Sequence, residues 1–212
     1  MHKLLLSFLL SLLVCTGSLA QKPYPGSLQA GDLLFQDLDC GGLCDAIEQV
    51  TVSFGGRHFS HIGLVVRSAD SLFILEAIGD KVQRTPLARF VARSGNEMLM
   101  GRVKKQYRKL LPDALRFATN QLDVPYDKAF LYNNGSYYCS ELIYDAFKTA
   151  NGGRDFFELQ PMTFKPLGSD AYFPVWETYY KDLGMDIPQG APGINPGGIS
   201  TSPKIDVFTY RP

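Results

Sequence analysis

Cys139 stands in Tyr137-Tyr138-Cys139-Ser140-Glu141-Leu142, where a loop gives way to an amphipathic stretch. At a helix start the unpaired backbone amides and aligned peptide dipoles favour a thiolate, so position alone argues for reactivity. A cysteine nucleophile also needs a base within hydrogen-bonding reach, usually a histidine oriented by a third polar group. Beyond the first twenty residues the sequence holds only His58 and His61.

His61 opens the run His61-Ile62-Gly63-Leu64-Val65-Val66, which alternates strong strand formers. Ser68-Ala69-Asp70-Ser71 is a turn, and the run from Leu72 to Gly79 is a second strand. If Arg67 pairs with Leu72, His61 and Glu76 are diagonal neighbours on one sheet face, about 7–8 Å apart at the backbone, which long polar side chains close; a turn shorter by two residues sets them directly opposite. Glu76 interrupts the apolar face of Leu72, Ile74 and Ile78. A carboxylate in such a setting needs a partner, and an imidazole is a suitable one. The three residues make a Cys139-His61-Glu76 triad: the thiol attacks, the ring carries the proton, the carboxylate orients the ring. Backbone amides at the helix start can hold a developing oxyanion.

The elements that must position this triad are legible as follows. Residues 31–38 are a short strand after a Gly-Asp turn, and Leu43, Ile47 and Val50 have helical spacing. Further strands are expected at 81–87 and 98–104. Pro112 and Asp113 open a helix whose inner face would be Leu115, Ala118 and Leu122. The helix from Cys139 would bury Leu142, Ile143, Ala146 and Phe147 and end at Asn151-Gly152. From about 160 to 212 the chain is rich in Pro, Gly and aromatics, including Trp176, and is expected to wrap over the core.

The order Gly31-Asp32-Leu33-Leu34-Phe35-Gln36, then Phe59-Ser60-His61-Ile62-Gly63, then Leu75-Glu76-Ala77-Ile78, then Pro125-Tyr126-Asp127, then Tyr137 to Phe147 resembles the circularly permuted branch of the NlpC-type papain-like hydrolases, the YiiX-like family. The resemblance spans about 31–153 and implies an α+β fold, an antiparallel sheet or small barrel packed against the nucleophile helix. It implies catalytic Cys139, His61 and Glu76, acyl chemistry through a thioester, and Tyr126, Asp127 and Tyr138 bordering the substrate. Relatives divide between peptide amides, often of the cell wall, and lipid acyl groups. The pair Cys40 and Cys44 lies outside the family pattern.

Residues 1–20 have the form of a secretory signal peptide, with Lys3, an apolar core and Ser18-Leu19-Ala20 at its end. A lipoprotein anchored through Cys15 is disfavoured by the bulk of Val14 before it. Residues 21–212 are then one exported domain, secreted or periplasmic, with no stable membrane span. With 21 basic and 21 acidic residues, the chain has no basic excess for nucleic acid. Export leaves three cysteines, and the odd count suggests a Cys40–Cys44 disulfide with Cys139 free.

Each residue also has a bland reading. Cys139 can be a buried thiol, His61 a strand-end histidine, Glu76 a partner of Arg84 or Arg89, and Tyr126 and Asp127 turn residues. Cys40-x3-Cys44 with His58-x2-His61 approximates a Cys2His2 zinc pattern, but the histidine spacing is short and an oxidising compartment favours the disulfide. No cofactor and no metal is expected. The function expected is hydrolysis of an amide or ester acyl carbon, on envelope peptides before lipids; a catalytically silent binding module is the alternative from another class.

Overall fold

A computed structural model describes residues 26–94 and 97–211. The leader at 1–20 and Cys15 lie outside the described residues. Six strands form one antiparallel sheet: β1 (Leu33–Gln36), β2 (His61–Ser68), β3 (Ser71–Ile78), β4 (Lys81–Pro86), β5 (Leu99–Val103) and β8 (Ile205–Thr209), in the order β4-β3-β2-β1-β5-β8. The sheet is open, with β4 and β8 at its edges, so the small-barrel variant of the expectation gives way to a sheet.

Of the two hairpin registers that alternation allows, the structure takes the one with the longer turn. Arg67 pairs with Leu72, and Ser68 with Ser71 around Ala69-Asp70. Alternation then sorts side chains onto two faces. Ile62, Leu64, Val66, Leu75 and Ala77 join the large core under helix α4 (Cys139–Ala150), while Leu34, Val65 and Ile74 join a smaller core with Phe90 of helix α2 (Leu87–Val91). His61 and Glu76 have the parity of the second set. Gly63, between His61 and Val65, is required there: a Cβ would meet Ile74 Cγ2 at 2.2 Å and the Phe90 ring at 3.0 Å.

Helix α4 buries Leu142, Ile143, Ala146 and Phe147 completely, and Glu141 and Tyr144 with them. Each large apolar side chain removed from water here contributes about 1.5–3 kcal/mol, enough to hold the helix on β2 and β3. Helix α3 (Leu111–Asn120) begins with the expected proline but turns Ala114 and Ala118 fully inward, while Leu115 is only partly buried and Leu122 lies past its end. The close approach of α3 to α4 selects the small residues. Helix α1 (Gly42–Gln49) carries the Cys40–Cys44 disulfide at its start.

The tail is more regular than a wrap. It forms β6 (Gln160–Pro161), α5 (Pro174–Leu183), β7 (Pro192–Gly193), α6 (Pro196–Ser200) and then β8, which completes the main sheet beside β5. Phe164, Trp176 and Tyr180 form a separate aromatic core against Ala46 of α1. Among the described residues no helix is long and apolar enough to cross a membrane.

Candidate active site

Cys139 is the first residue of α4, and its N-cap, Tyr138, is extended and makes no side-chain capping bond. The thiol is free, buried, and borders the main cleft. His61 is the first residue of β2, paired with Gln36 at the end of β1, so its ring stands where the sheet stops. There it meets groups from both sides. Nε2 lies 2.6 Å from Glu76 Oε2, and Cys139 borders the same cleft near enough for its hydrogen bonding and charge to act on the ring.

The electrostatics follow from that placement. Burial alone would push the imidazole pKa down, but hydrogen bonds to Cys139 and Glu76 and the charge on both outweigh it and raise it to about 9. The ring is therefore an imidazolium at neutral pH. Burial likewise works against ionising Glu76, yet the bond and charge of His61, then Arg93 and Thr85, hold its carboxyl below the ordinary carboxylate range. Glu76 is wholly buried, and Arg93 Nη2 donates to its Oε1 at 2.8 Å and its Oε2 at 2.6 Å. Arg93, not Arg84 or Arg89, is the countercharge. Arg84 is exposed over the Phe73 ring and Arg89 is exposed as well.

The other expected residues divide. Tyr126 and Tyr138 border the cleft with Cys139 and His61. Burial, then the charge at Cys139, pushes the Tyr126 phenol up, so it borders the cleft as a neutral hydroxyl. Asp127 is instead committed to its own loop: its two oxygens accept from the backbone N–H of Ala129 at 2.8 Å and Leu131 at 2.7 Å. It does not border the cleft. The turn reading describes it better than the pocket reading, because backbone amides two and four residues on claim both oxygens.

The tail grips the nucleophile on both sides. The Ile194 amide donates to Tyr138 Oη at 3.2 Å, and Ser140 Oγ donates to the Ile194 carbonyl at 2.8 Å. Glu141, next on the helix, accepts from the Asn133 amide at 2.9 Å through Oε1, while Oε2 has no hydrogen-bond partner among the described residues. Burial pushes its carboxyl up to about 8, so it is neutral at pH 7. Neither contact had a local sequence signal.

The cleft encloses about 620 Å3. Its walls are mostly apolar: Leu43 and Ile47 from α1, then Phe130, Phe157, Phe164 and Trp176. The Cys40–Cys44 disulfide removes both thiolates that a zinc reading needs. Among the described residues no three His, Cys, Asp or Glu side chains gather as a metal site.

The geometry is a thiol, an imidazole and a carboxylate in series at an apolar cleft, and comparison with known proteins agrees with its architecture. The chain is 27% identical over 203 residues to a protein of Escherichia coli (strain K12) named "Uncharacterized protein YiiX", covering 93% of this chain and 91% of that one. It superposes on the crystal structure of a protein described as metalloprotein yiiX from Escherichia coli O157:H7 with a TM-score of 0.69 at 24% identity, covering 87% of this chain and 98% of that one. Residues 27–207 match the family described as permuted papain-like amidase enzyme, YaeF/YiiX, C92 family, so the shared pattern extends through the tail to β8, and the chain belongs to that permuted papain-like family.

Proposed function

We propose that this chain is an exported thiol hydrolase that cleaves an amide or ester at its acyl carbon, with Cys139 as nucleophile and His61 as acid–base. The single observation that supports it most is the imidazole held between the free Cys139 thiol and the buried Glu76 carboxylate, 2.6 Å from the latter, on the wall of a deep cleft. In the resting state the proton sits on His61. The thiolate adds to the substrate carbonyl, and backbone amides at the start of α4 receive the oxyanion in this reading. Collapse expels the amine or alcohol, which takes the proton from His61 and leaves a thioester on Cys139. Water, deprotonated by the now neutral imidazole, then adds to the thioester; the acid leaves, and the thiolate–imidazolium pair is restored. Glu76 stays ionised and orients the ring throughout.

The substrate was expected among envelope peptides, and the leader-like residues 1–20 together with the disulfide support an extracytoplasmic setting. The lining of the cleft favours a substrate with an apolar group beside the scissile bond, as in an N-acylated amine or a lipid ester. Incubating wild type and Cys139→Ala with envelope extract and identifying new fragments by mass tests both levels. Products formed only by wild type support the hydrolase, and their chemistry separates peptide from acyl substrates. Identical fragment patterns from the two proteins, or a Cys139 that stays unlabelled by a thiol-directed probe in folded protein, reject it.

A further inference from the structure

Orienting a histidine takes one carboxylate oxygen, yet both oxygens of Glu76 are held from a second side. Arg93 Nη2 donates to Oε1 and to Oε2, and Oε2 is the atom that His61 Nε2 also meets. Glu76 has no exposure, while the Arg93 side chain keeps 27%, so the guanidinium reaches inward from the surface to a buried charge. It lies over the Phe90 ring at 5.1 Å, and that ring is 6.0 Å from the imidazole. The Phe90 carbonyl accepts from Gln36 Nε2 at 2.7 Å, and Gln36 is the strand partner of His61. Arginine, aromatic ring and histidine are thus one packed unit.

A buried carboxylate facing an imidazole has two ways to place the shared proton. Carboxylate with imidazolium is one, and carboxylic acid with neutral imidazole is the other. Only the first supports a thiolate on the far side of the ring. A guanidinium cannot give up its proton, so its contact with both oxygens selects the charged carboxylate and fixes its rotation toward the ring. The charged or titratable groups facing this centre are Cys139 from α4, His61 from β2, Arg93 after α2 and Tyr126 at the cleft, while β4 and β1 present the neutral Thr85 and Gln36.

We propose that Arg93 is a positioning residue that locks Glu76 in its charged, ring-facing state and thereby sustains the thiolate–imidazolium pair of Cys139 and His61, an inference that rests on the thiol-hydrolase reading. It is tested by the pH dependence of iodoacetamide alkylation, quantified at Cys139 by peptide mass in folded protein. Wild type should alkylate rapidly well below the value of about 8.5 where an ordinary thiol ionises. Arg93→Met should move the acid inflection up by about one pH unit and slow alkylation at pH 6 about tenfold. Arg93→Lys, which keeps the charge and a single donor nitrogen on a shorter side chain, should recover part of that loss. If Arg93→Met does not fold, Arg93→Gln carries the same expectation. A folded neutral variant whose profile superposes on wild type overturns the role of Arg93 alone. A wild-type Cys139 that alkylates as an ordinary thiol overturns the hydrolase reading and this inference with it.

Discussion

Two buried carboxylates, Asp32 beside β1 and Glu76 on β3, each meet an arginine. Arg102 Nε donates to Asp32 Oδ1 at 2.7 Å and Nη2 to Oδ2 at 2.7 Å, and the Gln29 amide adds a third bond at 2.7 Å. Every one of those donors keeps its proton at any ordinary pH, and neither Asp32 nor Arg102 borders the cleft. Glu76 shares its oxygens between an equally permanent donor, Arg93, and an imidazole that can release its proton. The contrast teaches that a buried carboxylate becomes chemically useful when one of its partners can titrate. With only fixed donors it is a staple between strands.

The comparison is broken most sharply by removing the titratable partner. His61→Ala should slow alkylation of Cys139 at neutral pH by roughly 10- to 30-fold, because an unassisted thiol is only a few per cent thiolate at pH 7. A loss below about threefold would place both centres in the structural class. Asp32→Asn should do the reverse, costing about 3–5 kcal/mol in denaturant unfolding because it breaks the buried Asp32–Arg102 pair. Cys139 alkylation in the folded Asn variant should match wild type; a slowed thiol would mean the two centres are coupled.

The pH dependence of stability sharpens the contrast with a smaller effect. His61 is raised from 6.5 to about 9, so its contribution is complete below about 6.5 and fades as pH climbs to about 9. Glu76 is lowered, so its contribution holds above the ordinary carboxylate range and is lost as pH falls through its folded value. Urea midpoints should therefore decline from pH 6.5 to 9 in wild type and stay flatter over that interval in His61→Ala. The smallest effect belongs to the Cys40–Cys44 clip. So short a loop contributes about 2 kcal/mol or less by chain entropy, and reduction should lower the unfolding midpoint slightly with Cys139 alkylation unchanged.

Local pattern carried much of the fold. The His61–Glu76 hairpin was legible because period-two alternation puts both side chains on one face in either of two registers that differ by two residues, and Arg67 pairs with Leu72 in the one the structure takes. Helix α4 was legible because Leu142, Ile143, Ala146 and Phe147 fall on one face, and all four are buried. Contacts made only in three dimensions were not. Arg93 arrives by a turn after a five-residue helix, so nothing in spacing distinguishes it from Arg84 or Arg89. Strand β8 pairs with β5 across about half the chain, and the Pro- and Gly-rich stretch before it hides Ile205, Val207 and Phe208 as strand formers. Asp127 misled because its family match points to the pocket while its oxygens serve Ala129 and Leu131. The apolar lining likewise comes from α1, the 130 loop and the tail together, which no single segment announces.

Histidine ¹⁵N NMR of wild type and Cys139→Ala reads the shared proton most directly. In wild type the His61 ring should remain doubly protonated until pH approaches about 9, and in Cys139→Ala, without the sulfur's bond and charge, it should lose that proton at lower pH. A ring that titrates near 6.5 in both proteins would contradict the account.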